Sequence, residues 1–310
     1  MQGTLPNFPR ETWSTMTSAL LRVPISLHDP DERWRASLHG GHSGEFCDHA
    51  GGTLRELLDA AQARGYRTFG VTEHAPRTEE RFLYDEERAM GWGTSELRNL
   101  FDAYALTLRV QAATRREGLA VLRGMECEVV PADRYAAQMW ELRERHGFEY
   151  WVGSVHHVNE IQIDGPITAF EQGVRESGSL DALAVDYYRT VARMVEALRP
   201  EVVGHLDLVC KHAPRHDFSA SAEVRAAATD TLDVIAAHGS ILDINTAGFR
   251  KGLGRPYVAP WLLQLAQQRG IGVCFGDDSH RVSDVAAGLD EARAYLLANG
   301  IGQVMVLARG

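Results

Sequence analysis

Short apolar runs recur along this chain, and each is followed by a longer segment whose apolar positions repeat every three or four residues. The runs at 36–39, 67–72, 119–125, 149–154, 201–205, 240–244 and 271–275 predict strands. The segments near 53–64, 95–116, 133–145, 181–198, 222–237, 257–268 and 284–298 predict helices. Thr53 and Ser283 suit helix N-caps, and Gly65, Gly118, Gly239 and Gly270 suit helix C-termini. A last apolar run, 303–308, reads as an eighth strand or a packing segment. Strand–helix alternation over seven units, with no linker dividing it, implies one parallel sheet, closed or nearly closed, with helices outside. The long loops 75–94 and 158–180 are expected to cover its mouth. Residues 1–34, punctuated by Pro6, Pro9, Pro24 and Pro30, read as an irregular extension, which leaves 35–310 as a single domain.

The polar residues that interrupt this pattern cluster where the strands end. His39, His42, Cys47 and His49 follow the first strand, Glu73 and His74 the second, and Glu126 and Glu128 the third. His156 and His157 follow the fourth, His205 and Asp207 the fifth, Asn245 and Arg250 the sixth, and Asp278 and His280 the seventh. Parallel α/β enzymes build their sites at these C-terminal ends. A catalytic zinc takes about three protein ligands and a structural zinc about four. The supply here is roughly twice that, so two or three metal ions are expected, with Glu126 bridging a pair. Glu128, His157 and Asp207 suit residues that orient ligands. His28, His146, His216 and His238 lie away from the strand ends.

Composition narrows the classes. The formal net charge of −10 argues against a nucleic-acid binder, which would carry a basic face. No apolar run approaches the roughly 20 residues that span a bilayer, and no secretory signal is expected at the N-terminus. The four cysteines, Cys47, Cys127, Cys210 and Cys274, form no CxxC pair, which predicts neither a zinc ribbon nor a disulfide framework and suits a reducing cytoplasm. Lys211 and Lys251 are the only lysines, and both stand near strand ends that carry other candidate residues.

The series HGGHSGEFCDHA, VTEHAPR, GMECE, VGSVHHV, VVGHLDLV, LDINTAGFRKG and GDDSH resembles the polymerase-and-histidinol-phosphatase (PHP) superfamily, and within it the monofunctional histidinol-phosphate phosphatases. The likeness runs from about residue 36 to 290. It implies a distorted (β/α)7 barrel with a trinuclear centre of zinc, iron or manganese. By position, the resemblance assigns metal ligation to His39, His42, His49, His74, Glu126, His156, His205, Asp278 and His280. The first motif departs from the family's His-x-His, because Gly40 and Gly41 separate His39 from His42. Neighbouring side chains on a strand face opposite ways, so His39 reaches the centre only if the paired glycines distort the strand end.

The function implied is hydrolysis of a small phosphate monoester, foremost L-histidinol phosphate, with metal ions activating water and neutralising phosphate oxygens. Glu126, Asp278 and His157 are the catalytic candidates, His157 as proton donor to the leaving alkoxide. Arg250, with Lys251 or Lys211, is expected to grip the phosphate, and Arg77 and Arg281 are weaker candidates because arginine is abundant throughout. The alternatives are a PHP-type enzyme acting on nucleotides, an amidohydrolase barrel, and a catalytically silent regulator. No lysine stands on the fourth strand to bridge metals as in many amidohydrolases, and a silent protein has no physical need of nine ligands. Assembly into a homo-oligomer is left open.

Overall fold

A computed structural model describes residues 20–310. Its strands are β1 (Leu21–Ser26), β2 (Ala36–Ser37), β3 (Thr68–Val71), β4 (Ala120–Arg123), β5 (Glu126–Cys127), β6 (Val152–Gly153), β7 (His157–Val158), β8 (Ile161–Gln162), β9 (Val202–Val203), β10 (Ile241–Asn245), β11 (Val273–Gly276) and β12 (Gln303–Ala308). The helices are α1 (Leu54–Ala63), α2 (Asp85–Ala89), α3 (Thr94–Ala113), α4 (Tyr135–His146), α5 (Ile167–Ser177), α6 (Leu180–Leu198), α7 (Ala222–His238), α8 (Ala247–Arg250), α9 (Pro260–Gln268) and α10 (Leu289–Ala298). Each of the seven predicted strand positions holds a strand.

Local chemistry explains the helix limits. Thr53 and Glu56 form a reciprocal capping box, and Leu54, Leu57, Leu58 and Ala61 bury one stripe of α1. Ser179 caps α6 and Ser221 caps α7, while Gly239 ends α7 in the left-handed conformation. Two expected caps differ. Ser283 lies in a short 3₁₀ turn, and α10 begins only at Leu289 after Gly288. Gly118 belongs to the tight turn that closes onto Leu119, because α3 has already ended at Ala113.

Two parallel sheets carry the fold, β2-β3-β4 and β11-β10-β9-β6-β5. Strands β3, β10 and β11 are buried along their whole length, as strands covered on both faces must be. The ladder does not close into a barrel. The third predicted strand breaks at Gly124–Met125 into β4, in one sheet, and β5, in the other. Backbone hydrogen bonds join the two sheets: Glu126 N to Glu73 O (2.9 Å) and Ala75 N to Glu126 O (2.8 Å) on one side, Leu38 N to Phe275 O (2.8 Å) and Asp278 N to His39 O (2.9 Å) on the other.

Packing divides accordingly. The large apolar core lies between the sheets and the helices. A second buried cluster joins Leu38, Leu122, Tyr150, Val152, Val202, Ile241, Cys274 and Leu307, drawn from both sheets and from β12. Tyr150 donates its hydroxyl to Leu38 O (2.8 Å) inside that cluster, and Gly70 leaves the space it fills.

The termini and loops hold more structure than their sequence suggests. Residues 21–26, read as irregular, form β1, which pairs antiparallel with β12, outside both parallel sheets. Pro24 is tolerated because β1 pairs on one side only. The loop 75–94 contains α2, and the loop 158–180 contains the hairpin partner β8 and α5. No helix among the described residues is long and apolar enough to cross a membrane.

Candidate metal centre

The strand ends converge on one buried carboxylate. Glu126, 1% exposed, receives imidazole nitrogens from four other strand ends. Its Oε2 lies 3.3 Å from His39 Nε2, 3.6 Å from His42 Nε2 and 3.1 Å from His74 Nδ1. Its Oε1 lies 3.4 Å from His156 Nε2 and 3.3 Å from His205 Nε2. Asp278 Oδ1 approaches His42 Nε2 to 3.4 Å. The ring of His280 stacks on that of His42 at 4.5 Å, and His49 stands 5.0 Å from His280. All nine proposed ligands thus lie in one cluster.

The glycine pair solves the first-motif problem by close approach. A side chain at position 40 would meet Gly70 O at 2.1 Å, so only glycine lets this segment lie against β3 while His39 and His42 both turn inward. His205 and Asp278 carry positive φ values, 23° and 44°, which side-chain-bearing residues adopt only when their surroundings force them to.

A second carboxylate stands behind several of these rings. His39 Nδ1 donates to Asp243 Oδ2 (2.8 Å), His42 Nδ1 to Glu73 Oε1 (2.9 Å), His156 Nδ1 to Glu128 Oε1 (3.2 Å) and His49 Nδ1 to Asp48 Oδ1 (3.1 Å). For His39, His42 and His156 the bond fixes the tautomer that leaves Nε2 facing the centre, whereas His49 Nε2 lies 4.0 Å from Cys47 Sγ. His157 is different: its Nδ1 sits 3.7 Å from Glu128 Oε2, and its ring meets Phe82 edge-on at 5.8 Å.

The electrostatics show a cluster short of positive charge. Burial opposes charge on His42, yet Glu73, Asp278 and Glu126 overcome it and lift the imidazolium to about 10. His39 and His156 are likewise raised against burial by their carboxylates. Burial wins at His74, held well below its ordinary value, and at His280, pushed down to about 3, both beside other imidazoles. Burial would raise the Glu126 and Asp278 carboxyls, but the surrounding histidines hold both well below the carboxylate range. His39 Nε2, His42 Nε2, His74 Nδ1 and Glu126 Oε2 are buried with no hydrogen-bond partner. Such atoms facing one another demand a cation between them. Four sets of three donors lie close enough to hold one: His42, His74 and His280; His39, His205 and Asp278; His39, His42 and Glu126; His74, Glu126 and His156. Imidazole with carboxylate suits zinc, iron and manganese.

The expected phosphate-binding cations fare unevenly. Arg250 donates through Nη2 to the carbonyls of Asp277 and Asp278 (2.9 Å to the latter), so its guanidinium braces the loop that carries Asp278. Lys211 donates to the Asp164 carbonyl. Lys251 and Arg281 are exposed, and Lys251 is near enough to help depress the Lys211 ammonium, for which burial is the main cause. Arg77 is buried, bonded to Glu87 and stacked 4.0 Å over Tyr84.

Asp243, and Asp48 behind His49, are carboxylates that sequence reasoning missed, Asp243 being the more deeply buried. For Asp243 the signal was a carboxylate within a fully buried strand, two residues before Asn245 and therefore on the same face.

The chain is similar to known proteins in sequence and in fold. The profile of the PHP domain matches residues 39–247. A Schizosaccharomyces pombe protein, named a probable histidinol-phosphatase, is 31% identical over 292 residues, covering 93% of this chain and 90% of that one. Among solved structures, a candidate histidinol phosphatase from Listeria monocytogenes superposes with a TM-score of 0.71 at 22% identity, over 83% of this chain and 99% of that one. A Lactococcus lactis histidinol phosphate phosphatase, solved with zinc, L-histidinol and phosphate, gives a TM-score of 0.61 at 19% identity, over 86% and 94%.

Proposed function

Because this chain belongs to the PHP domain family, we propose that it is a metal-dependent phosphomonoesterase that hydrolyses L-histidinol phosphate to L-histidinol and phosphate. The observation that carries this reading is the convergence of five imidazoles on buried Glu126, with carboxylates behind three of those rings. His39, His42, His49, His74, Glu126, His156, His205, Asp278 and His280 would hold two to three ions, zinc, iron or manganese. Bound there, the ions supply an activated water and neutralise phosphate oxygens.

The chain's own residues do the rest. Glu126 keeps opposed imidazoles within 3.6 Å of one carboxylate. Asp243, Glu73 and Glu128 fix the rings so that nitrogen lone pairs point inward. His157 steadies Glu128 and, through it, His156. Arg250 holds the Asp277–Asp278 backbone, which leaves Lys251, Arg281 and Lys211 to face the phosphate. The active unit is 35–310, an open, distorted (β/α)7 barrel whose two sheets are arcs joined by backbone hydrogen bonds on either side. Of the extension 1–34, residues 1–19 lie outside the described residues, and 21–26 adds a strand. Four free, buried cysteines suit a cytoplasmic setting.

Phosphate release from L-histidinol phosphate, compared with a panel of nucleotides and sugar phosphates, tests the reading. Metal content is measured on the same sample. A preference for any other ester refutes the substrate, and one metal per chain or none refutes the multinuclear centre.

A further inference from the structure

Beside the centre stands a carboxylate that none of the histidines uses. Ile163 N donates to His156 O (2.9 Å), so the β7–β8 hairpin delivers Asp164 next to the strand end that carries His156 and His157. Two more contacts fix this turn: the Lys211 ammonium bonds the Asp164 carbonyl, and His212 Nε2 bonds the Gly165 carbonyl at 2.9 Å. The Asp164 side chain is only 20% exposed, and its Oδ1 is buried with no hydrogen-bond partner. Lys211 Nζ pairs with Oδ2 at 3.9 Å, a long ion pair outside hydrogen-bond reach, and leaves Oδ1 unserved. An anionic oxygen that is buried, rigidly placed and without a donor is costly unless a donor comes from outside.

We propose that Asp164 receives a cationic nitrogen on the alcohol portion of the substrate, and thereby selects phosphate esters of nitrogen-bearing alcohols over uncharged ones. This rests on the phosphatase reading above. Lys211 beside it, with Lys251 near Lys211, supplies the opposite charge, so this corner of the site is matched to a molecule carrying both a phosphate and a cation. L-histidinol phosphate offers two such nitrogens, its amine and its imidazole.

The test is the ratio of kcat/KM for L-histidinol phosphate to that for phenyl phosphate, measured on metal-loaded full-length protein. Asp164→Asn lowers this ratio by about 10- to 100-fold, the worth of one charge-assisted hydrogen bond, and Asp164→Glu recovers part of it. Because Lys211 bonds the main-chain carbonyl, the turn keeps its anchors; should the asparagine variant not fold, Asp164→Ser carries the same test. Two further esters identify the nitrogen. If the amine is bound, 3-(imidazol-4-yl)propyl phosphate shows no dependence on residue 164; if the imidazole is bound, ethanolamine phosphate shows none. Wild type active on both main esters, with variants keeping its ratio within about twofold, overturns this inference alone. Wild type that hydrolyses no ester overturns the phosphatase reading, and this one with it.

Discussion

Asp243→Asn is the most discriminating single change, because Asp243 touches no substrate and no proposed position of a metal. Its Oδ2 accepts from His39 Nδ1 (2.8 Å), from Asn245 Nδ2 (2.9 Å) and from the His205 main-chain N (3.4 Å). Asparagine has the same shape, so the change removes charge without opening a cavity. With its amide oxygen facing the three donors, it turns a charge-assisted bond to His39 into a neutral one, a loss of about 1–2 kcal/mol. With its amide nitrogen facing them, donor meets donor. The group cannot swing elsewhere, since Gly276 closes the other side, where even a methyl group would meet Oδ1 at 2.1 Å. Bonds of this kind behind metal ligands are worth about 10- to 100-fold in affinity or activity, which agrees with that figure. The assay is zinc competition against a chromophoric chelator, with kcat/KM for L-histidinol phosphate on the same preparations. Unfolding of the metal-free proteins serves as the control for folding. Zinc affinity and kcat/KM both within about twofold of wild type would refute the claim that Asp243 sets His39 for its role.

Gly276→Ala attacks the same contact sterically: its methyl would sit 2.7 Å from His39 Cβ as well as against Asp243, so zinc affinity should fall at least as far as in Asp243→Asn, read by the same competition. Glu126→Gln should abolish tight binding of at least one ion and cut activity by orders of magnitude, while Glu128→Gln should cost about 10- to 100-fold through His156; elemental analysis giving equal losses would show the two roles to be misassigned. Arg250→Ala should lower thermal stability and metal content together, because the guanidinium holds the backbone of Asp277 and Asp278; unchanged metal content with reduced kcat/KM would instead place it on the phosphate. His146, at the end of α4, is held below its ordinary 6.5 chiefly by burial, against the pull of Asp102. The folded chain therefore binds this proton less readily than the unfolded one, and stability is lost as pH falls below about 6.5. His146→Phe should flatten the fall in Tm on acidification, and an unaltered slope counts against it.

The sequence made the strands and the donors legible for one reason: both leave strong local signals. Fully buried parallel strands such as 241–245 and 273–276 read as apolar runs, and a histidine or carboxylate just after such a run has little other reason to recur. What stayed hidden depends on non-local partners. Asp243 interrupts an apolar run with a charge, but only the fold reveals that His39 lies across Gly276 from it. Arg250 looked free for phosphate because its acceptors are main-chain carbonyls 27 and 28 residues away, invisible to any pattern of side chains. The break of one strand into β4 and β5 was marked only by Arg123–Gly124, a charge and a glycine within an otherwise apolar run, which do not by themselves tell a strand's end from its interior. Strand β1 escaped notice because its proline, Pro24, and its exposed residues suit a one-sided edge, whose pairing to β12 spans most of the chain.

These partners also explain how the centre keeps its shape where the sheets give out. Positive φ at His205 and Asp278 costs about 1–3 kcal/mol at each residue, and neither residue lies within its own strand. The restraint comes from elsewhere. Asp278 N bonds His39 O (2.9 Å), its carbonyl is held by Arg250, and its carboxylate faces His42. His205 N bonds the Asp243 side chain, and its carbonyl accepts from the Tyr187 hydroxyl (3.3 Å). Asp243 therefore sets two proposed ligands from different strands, His39 through its ring and His205 through its backbone. A donor set fixed this way does not move one ligand at a time, because displacing Asp243 or Asp278 disturbs contacts on more than one strand end. The strained residues are where such coupling is concentrated, and they are the ones whose side chains meet at Glu126 or at His42.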